Sequence, residues 1–480
     1  MGLLGILIAL GLLVWLAFRG WSVLLLAPAS AVVAALFSHE PLLAHWTQTF
    51  MGSAARFLGQ FFPLFLLGAL FGKLMEDSGS VGVIASFMVR RGQERAVRAV
   101  VLAGALVTYG GVSLFVAFFV LVPMGQELFR SAGVPRRLMP AAIALGTSTF
   151  TMSALPGTPA IQNAIPMPFF GTTPFAAPGL GIIASAVMLG FGLWWLARVE
   201  AGARRGGEGY GDDATAALPD EALLRERAST AHGFDPTEIN RGQPATVPPG
   251  VGLAALPLVV VVAVNLAMSL VILPALDLDF LAEPRWGGAS LDAVGGVWSV
   301  VTALAVAIAV VLAINWRRLP ALRQSVDAGA NASVLPAVSV ASLVGFGAVV
   351  AALPSFEGVR DAVLGIGGGP LVSLAFATNV LAALTGSASG GLTIALDALG
   401  PTFLARAGAI GMDPAILDRV AVIGAGTLDS LPHNGAVVTL LAVCGCSHRE
   451  AYRDLAIVAI VGALIALAAV IVLATAFGSF

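Results

Sequence analysis

Long apolar runs recur along nearly the whole chain, and the places where they are interrupted carry most of the information. Runs over Met1–Phe18 and Trp21–Phe37 are separated only by Arg19-Gly20. The first lacks the basic n-region of a cleavable signal, so the pair predicts two retained membrane helices. Residues 41–56 contain His45, Trp46, Gln48 and Arg56 and predict an interfacial segment ahead of a third span over Phe57–Leu74. Lys73, Glu76 and Asp77 at the end of that span read as charges flanking a helix terminus. Two apolar arms follow within about 97–129 and meet at Tyr109-Gly110-Gly111-Val112-Ser113. Basic residues stand at both ends of the pair, Arg90 to Arg98 before it and Arg130, Arg136 and Arg137 after it. Two like-charged ends on one side of a membrane predict a re-entrant hairpin rather than two complete spans.

The next run, about 138–172, is broken at Ser153-Ala154-Leu155-Pro156-Gly157-Thr158-Pro159, and a span over 176–197 then leads to Arg198, Arg204 and Arg205. Residues 200–249 form the one long polar stretch and read as a solvated linker with a short helix near 218–231. Beyond it, spans over 251–274, 294–316 and 334–354 alternate with an acidic loop and with the basic Arg317, Arg318 and Arg323. A second hairpin, about 370–405, turns at Thr385-Gly386-Ser387-Ala388-Ser389-Gly390. A second broken run, about 414–445, is interrupted at Gly424-Ala425-Gly426-Thr427-Leu428-Asp429-Ser430-Leu431-Pro432-His433-Asn434-Gly435, and the last span is 455–477. Placing the basic ends in the cytoplasm puts the 200–249 linker inside and both termini outside.

Internal repetition ties these interruptions together. Shifting residues 106–161 by 276 positions onto 382–437 pairs Gly110 and Ser113 with Gly386 and Ser389, and Arg130 with Arg406. It also pairs Thr151, Leu155, Pro156 and Ala160 with Thr427, Leu431, Pro432 and Ala436. Only eight of the 56 positions are identical, but they include a hairpin joint, a helix break and the spacing between them. The fold expected is an all-α polytopic membrane protein, an inverted repeat of about 5+5 transmembrane helices with two re-entrant hairpins and two broken helices. Its parts are an N-terminal membrane repeat (1–199), the linker (200–249) and a C-terminal inverted repeat (250–480). Inverted repeats with sites near the membrane midplane are typical of secondary transporters.

Composition narrows the function classes. The 480 residues are 58% hydrophobic and 11% charged, with a mean hydropathy of +0.93, far from the roughly 25% charge of a soluble globule. A net charge of -2 offers no basic surface for nucleic acid. Cys444 and Cys446 stand two apart in an apolar run, where a helix does not let them face each other; packing, not a disulfide or a metal site, is their expected role. No cofactor is called for.

The runs Gly146-Thr147-Ser148-Thr149 through Leu155-Pro156-Gly157-Thr158-Pro159-Ala160-Ile161-Gln162-Asn163, and Gly424-Ala425-Gly426-Thr427 through His433-Asn434, resemble the gluconate permease (GntP) family. The resemblance extends over nearly the whole chain. It implies a proton-coupled carboxylate symporter of the bacterial inner membrane, with a scaffold domain, a transport domain bearing both hairpins, a homodimeric state and elevator-like motion. Gluconate-type members have a Ser-His-Val-Asn-Asp-like run at the second break, where this chain has Asp429 to Gly435, and the first break here is comparatively apolar. A smaller hydroxy acid such as 3-hydroxybutyrate therefore stands beside gluconate as a candidate substrate.

The candidate chemistry follows from what an anion needs inside a membrane. Backbone N–H groups at half-helix N-termini replace water without placing a full charge in hydrocarbon. The hairpin joints at Gly110, Gly111, Ser113, Thr385, Gly386, Ser387 and Ser389 offer such donors. Amides and hydroxyls for the remainder of the substrate are Thr158, Gln162, Asn163, Ser430 and Asn434. Coupling requires a group that titrates, and Asp429 and His433 are the nearest pair. Each has a plainer competitor: glycine and serine also suit a tight turn, and Asp429 or Ser430 before Pro432 also suits a helix cap. Asn265 and Asn379 read as satisfied interhelical polar residues. Sodium coupling is an alternative, and Ser387 or Ser389 with His433 leaves an intramembrane serine hydrolase as a weaker one. Neither Gly-x-Ser-x-Gly nor His-Glu-x-x-His occurs.

Overall fold

The computed structural model describes residues 2–19, 21–91, 95–211, 225 and 234–480, and among these every regular element is helical. Two apolar helices open the chain, α1 (Gly2–Phe18) and α2 (Val23–Phe37). A helix of 36 residues follows, α3 (Leu42–Asp77), with a π-helical stretch at His45–Phe50. The interfacial segment expected over 41–56 is thus the first part of a continuous helix, in which Gln48 and Arg56 are exposed while Phe50, Ser53 and Ala54 are buried. A further helix not anticipated, α4 (Ser80–Arg91), precedes the first hairpin, α5 (Ala96–Tyr109) and α6 (Leu114–Ser131). Then come α7 (Met139–Thr147), the one-turn α8 (Phe150–Ser153), α9 (Ile161–Ala164) and α10 (Met167–Phe170), and the long α11 (Pro178–Arg205).

The second part of the chain contains α12 (Val251–Ala275), α13 (Leu291–Asn315), α14 (Leu322–Ala352) and the short α15 (Phe356–Leu364). Its hairpin is α16 (Pro370–Thr385) with α17 (Ala388–Ala409). The next helix is interrupted: α18 (Pro414–Thr427) ends in a 3-10 turn over Leu428–Ser430 and resumes as α19 (Gly435–Val443). The chain closes with α20 (His448–Phe477). Seven of these helices are long and apolar enough to cross a bilayer: α3, α6, α11, α12, α13, α14 and α20. The two hairpins end in register with the sequence offset, α5 at Tyr109 and α16 at Thr385.

Small residues decide how closely these helices pack, as expected where lipid removes the hydrophobic drive between helices. Helix α14 crosses α3 at Gly329 and Gly345. A Cβ at either would lie 2.9 Å from α3 backbone, at Leu70 Cα and Phe50 O respectively. Gly146 lets α7 rest on the Val101 carbonyl of α5, and Gly391 lets the two arms of the second hairpin touch at Ala382.

The polar segment departs from the expected solvated linker. The helix expected near 218–231 lies outside the described residues except for Arg225. Of its described parts, 206–211 is mostly exposed, whereas 234–249 lies against the end of α3 and the flank of α14. Lys73 is 1% exposed; its ammonium donates to Asp77 (2.9 Å), Glu76 (3.3 Å) and the Ile239 carbonyl (2.7 Å). Asp235 and Glu238 are buried as well. A charge group read as flanking a helix therefore anchors a segment 166 residues away in sequence.

The glycine contacts give a direct test. Gly391→Ala should cost about 1–3 kcal/mol, because the nearest atoms are backbone and cannot yield. Gly408→Ala on the same helix meets nothing within 4 Å and should be neutral. Thermal unfolding of the detergent-solubilised protein reads both; equal midpoints would refute the close approach of the hairpin arms.

Candidate functional site

A helix interrupted inside an apolar core leaves backbone carbonyls without partners, and each must be met from elsewhere in the protein. Around the first break, side chains from distant elements meet them one by one. The Pro156 carbonyl accepts from the Tyr109 hydroxyl (2.8 Å), and the Gly157 carbonyl from the Asn265 amide (3.0 Å). The Asn163 amide donates to Thr158 (3.1 Å) and Pro174 (3.2 Å) carbonyls. Arg419, wholly buried on α18, donates to the Ala154 carbonyl (3.3 Å), to the Asn163 side-chain oxygen (3.3 Å) and twice to the Ala176 carbonyl (3.1 and 2.7 Å). Its neighbour Asp418 accepts from the Thr172 hydroxyl. Neither Arg419 nor Asp418 was among the candidate residues, although a charged pair inside the apolar run Ala415 to Ala425 is a signal in itself.

Of the buried polar atoms that these bonds leave open, two share one space. A cavity of about 90 Å³ lies between the first hairpin joint, the first break and the middle of α3. Its walls are mostly apolar: Leu64, Phe65, Val112, Leu114, Met152, Ile161 and Phe234, with Thr108, Ser113 and Gln162 as neutral polar groups. The Ser113 hydroxyl and the Gln162 side-chain carbonyl are both buried without a hydrogen-bond partner. Other buried polar atoms of the protein also lack a partner, but these two line the same cavity, where water or a ligand can meet both. Gly111 also faces this space. Its φ of +95° suits glycine, and a Cβ there would lie 2.8 Å from Pro159. Gly110 instead packs on Leu258, and Thr158 and Asn163 are occupied in holding the break.

The second hairpin joint is arranged differently. Asp429 accepts from the Ala388 N–H at the start of α17 (2.9 Å) and from the Asn434 amide (2.9 Å). The same amide donates to the Gly386 carbonyl (3.0 Å), and the Asn434 side-chain oxygen caps α19 through the Ala436 N–H (2.8 Å). His433 Nε2 lies 3.2 Å from the Ala383 carbonyl. The Thr385 hydroxyl donates to the Leu381 carbonyl (2.8 Å), and the Ser387 hydroxyl caps α17 through the Gly390 N–H (3.1 Å) and lies 3.2 Å from Ser389 Oγ. Ser430 gives its carbonyl to Tyr452 (3.2 Å). Asp429, Ser430 and Asn434 border a cavity of only about 10 Å³, room for one water, which Phe118, Ala144 and Ser148 of the first half also line. The structure thus gathers Gly111, Ser113 and Gln162 at one cavity and Asp429, Ser430 and Asn434 at another, while Thr385, Gly386, Ser387, Ser389 and His433 lie at the joint beside the second.

Comparison with known proteins settles the lineage. The model of the GntP family permeases matches residues 1–168. YxjC of Bacillus subtilis (strain 168), described as an uncharacterized transporter, is 39% identical over 465 residues, 95% of each chain. The chain belongs to the GntP permease family. It is accordingly a multi-pass membrane transporter. Among solved structures, this permease is similar to MtrF of Neisseria gonorrhoeae, presented as illuminating a class of antimetabolite efflux pumps. The TM-score is 0.54 at 15% identity, over 92% of this chain and 86% of that one, a likeness of fold. YdaH of Alcanivorax borkumensis, a transporter with an unusual topology, aligns at TM-score 0.47 and 18% identity over 90% of this chain and 87% of that one.

Arg419 holds the first break of the permease, and its loss can be measured apart from transport. Arg419→Met removes donors from two carbonyls and from Asn163, and should lower stability by about 2–5 kcal/mol. Arg323→Met, at a side chain 94% exposed, should change little. An unchanged unfolding midpoint for Arg419→Met would refute its role as the clamp.

Proposed function

We propose that this GntP permease imports a small organic anion by proton symport across the bacterial inner membrane. The observation that carries the reading is the first-half cavity with the open Ser113 hydroxyl and Gln162 carbonyl. A substrate carboxylate would accept from the Ser113 hydroxyl and from backbone N–H groups at the first hairpin joint, while a substrate hydroxyl would donate to Gln162. Size favours a short acid. About 90 Å³ is less than the roughly 150 Å³ cavity that holds benzene, so either acid requires the walls to give, and 3-hydroxybutyrate, with about half the heavy atoms of gluconate, requires far less of it. The apolar walls favour the same choice, since the extra hydroxyls of a sugar acid would lose their water without gaining partners.

Coupling is proposed at Asp429 with His433. Asp429 is buried at the second hairpin joint, where it accepts from the Ala388 N–H and the Asn434 amide. Protonation would weaken its hold on the Ala388 N–H and on Asn434, and so loosen the joint against the second break. The shared cavity at Phe118, Ala144 and Ser148 supports linkage, because an arm of the first hairpin and the helix leading to the first break there meet the second break. On this reading the two halves are an inverted repeat, as the matching hairpin ends at Tyr109 and Thr385 support. The 200–249 segment is cytoplasmic, both termini lie outside, and a homodimeric scaffold carries a transport domain that moves as an elevator. Sodium coupling is the nearest alternative, and the same assay separates it.

In proteoliposomes with an imposed inward proton gradient, uptake should follow 3-hydroxybutyrate over acetoacetate, gluconate and citrate, and should not require sodium. No uptake of any carboxylate would refute the symporter. Asp429→Asn should fold but lose concentrative uptake, whereas wild-type accumulation by that variant would remove Asp429 from coupling. Ser113→Ala and Gln162→Leu should each raise the Kd for 3-hydroxybutyrate in detergent by about three- to tenfold, the cost of one hydrogen bond. Unchanged binding in both would move the site elsewhere.

A further inference from the structure

Besides Leu64, Phe65, Gly68 and Ala69 of α3, one residue lining the 90 Å³ cavity comes from neither the first hairpin nor the first broken helix. It is Phe234, within the polar 200–249 segment, and it is 1% exposed. A phenylalanine in so polar a stretch is an isolated apolar group, and it lines the same cavity as Leu64, Gly68, Ser113 and Gln162, the last two of which carry the open polar atoms. The turn that carries it is fixed in four ways. The Asp235 N–H donates to the Ala332 carbonyl of α14 (2.8 Å), and the Asp235 carboxylate caps the turn through the Thr237 N–H (3.1 Å) and hydroxyl (2.8 Å). The Ile239 carbonyl accepts from buried Lys73 (2.7 Å). Finally, the Ala245 N–H donates to the Asp77 carbonyl (2.7 Å).

These attachments run to α3 and α14, whereas the open atoms sit on the first hairpin joint and the first break. The aromatic ring is therefore mounted on different elements from the groups that would grip a substrate. We infer that Phe234 is a specificity-determining residue of the permease, a removable wall that sets the length of substrate accepted and closes the cavity on the side of the 200–249 segment. This rests on the transport reading above only for its substrate; the closure itself is a statement about access. Removing the ring would about double the free volume and open that side, since the neighbours that could refill the gap are held by their own helices.

The test separates the two. In a Cys444→Ala, Cys446→Ala background, Ala69→Cys places a thiol at the cavity wall, and a membrane-impermeant maleimide reads access to it in detergent. Phe234→Ala should label about tenfold faster than the Phe234 parent, and Phe234→Leu, which keeps apolar volume, should stay near the parent. Should Phe234→Ala fail to fold, Asp235→Asn, which weakens the cap of the turn, should raise labelling in the same direction. Equal rates in parent and folded variant would overturn the closure, whatever the substrate proves to be. In proteoliposomes, Phe234→Ala should also raise the KM for 3-hydroxybutyrate and admit gluconate relative to the parent. Unchanged selectivity, with 3-hydroxybutyrate uptake intact, would overturn the specificity role while leaving the transport reading standing. Absence of carboxylate uptake in the parent would defeat that reading and the specificity role together, with the labelling result still deciding closure.

Discussion

The rest of the structure depends on one constraint: a backbone broken inside an apolar core must find hydrogen-bond partners within the protein. Two breaks, at 154–160 and 428–434, generate that need, and the polar residues scattered through the apolar helices largely answer it. Tyr109, Asn265, Asn163 and Arg419 each reach a carbonyl near the first break. Asn434, His433, His448 and Tyr452 do so near the second. Arg419 is the most demanding of them. A guanidinium with no exposure is tolerable because five donors in a rigid fork can meet several carbonyls at once, which a lysine cannot match.

Against that background the two halves differ in a way that bears on function. At the second hairpin joint the protein supplies its own carboxylate, Asp429, to the first N–H of α17. The sequence offset pairs Asp429 with Ser153, so the first half has no such acid. There the joint borders an open cavity in which a hydroxyl and an amide carbonyl wait without partners. An external carboxylate in the first half and an internal one in the second would occupy related places in one framework. This asymmetry connects the proposed substrate position to the proposed coupling group without a long chain of intermediates.

Much of the architecture was legible in the sequence because it is written in breaks of periodicity. Hairpins at 97–129 and 370–405 and interruptions near Pro156 and Pro432 stand out once glycine, proline and basic ends are tracked together. The π-helical start of α3 was not legible, since His45, Gln48 and Arg56 look interfacial and nothing local says that their helix continues. Nor was the anchoring of the polar segment: Lys73 binds Ile239 across 166 residues, a contact that no window on the sequence spans. Within the site, Ser113 and Gln162 were found by residue type and position at the joint and break. That Thr158 and Asn163 hold the break, while Gln162 stays open, depends on rotamers and distant partners. Arg419 is not legible from the second break, because it lies eight residues before Thr427 and acts on the first break, whose carbonyls are more than 240 residues away in sequence.

If substrate rests in the first-half cavity, its position is the quantity to measure. A cryo-EM map of the permease reconstituted in lipid nanodiscs with saturating 3-hydroxybutyrate should show ligand density bounded by the first hairpin joint, Ser113 and Gln162. Ligand density beside Asp429 at the second joint, with the first-half cavity empty, would contradict it.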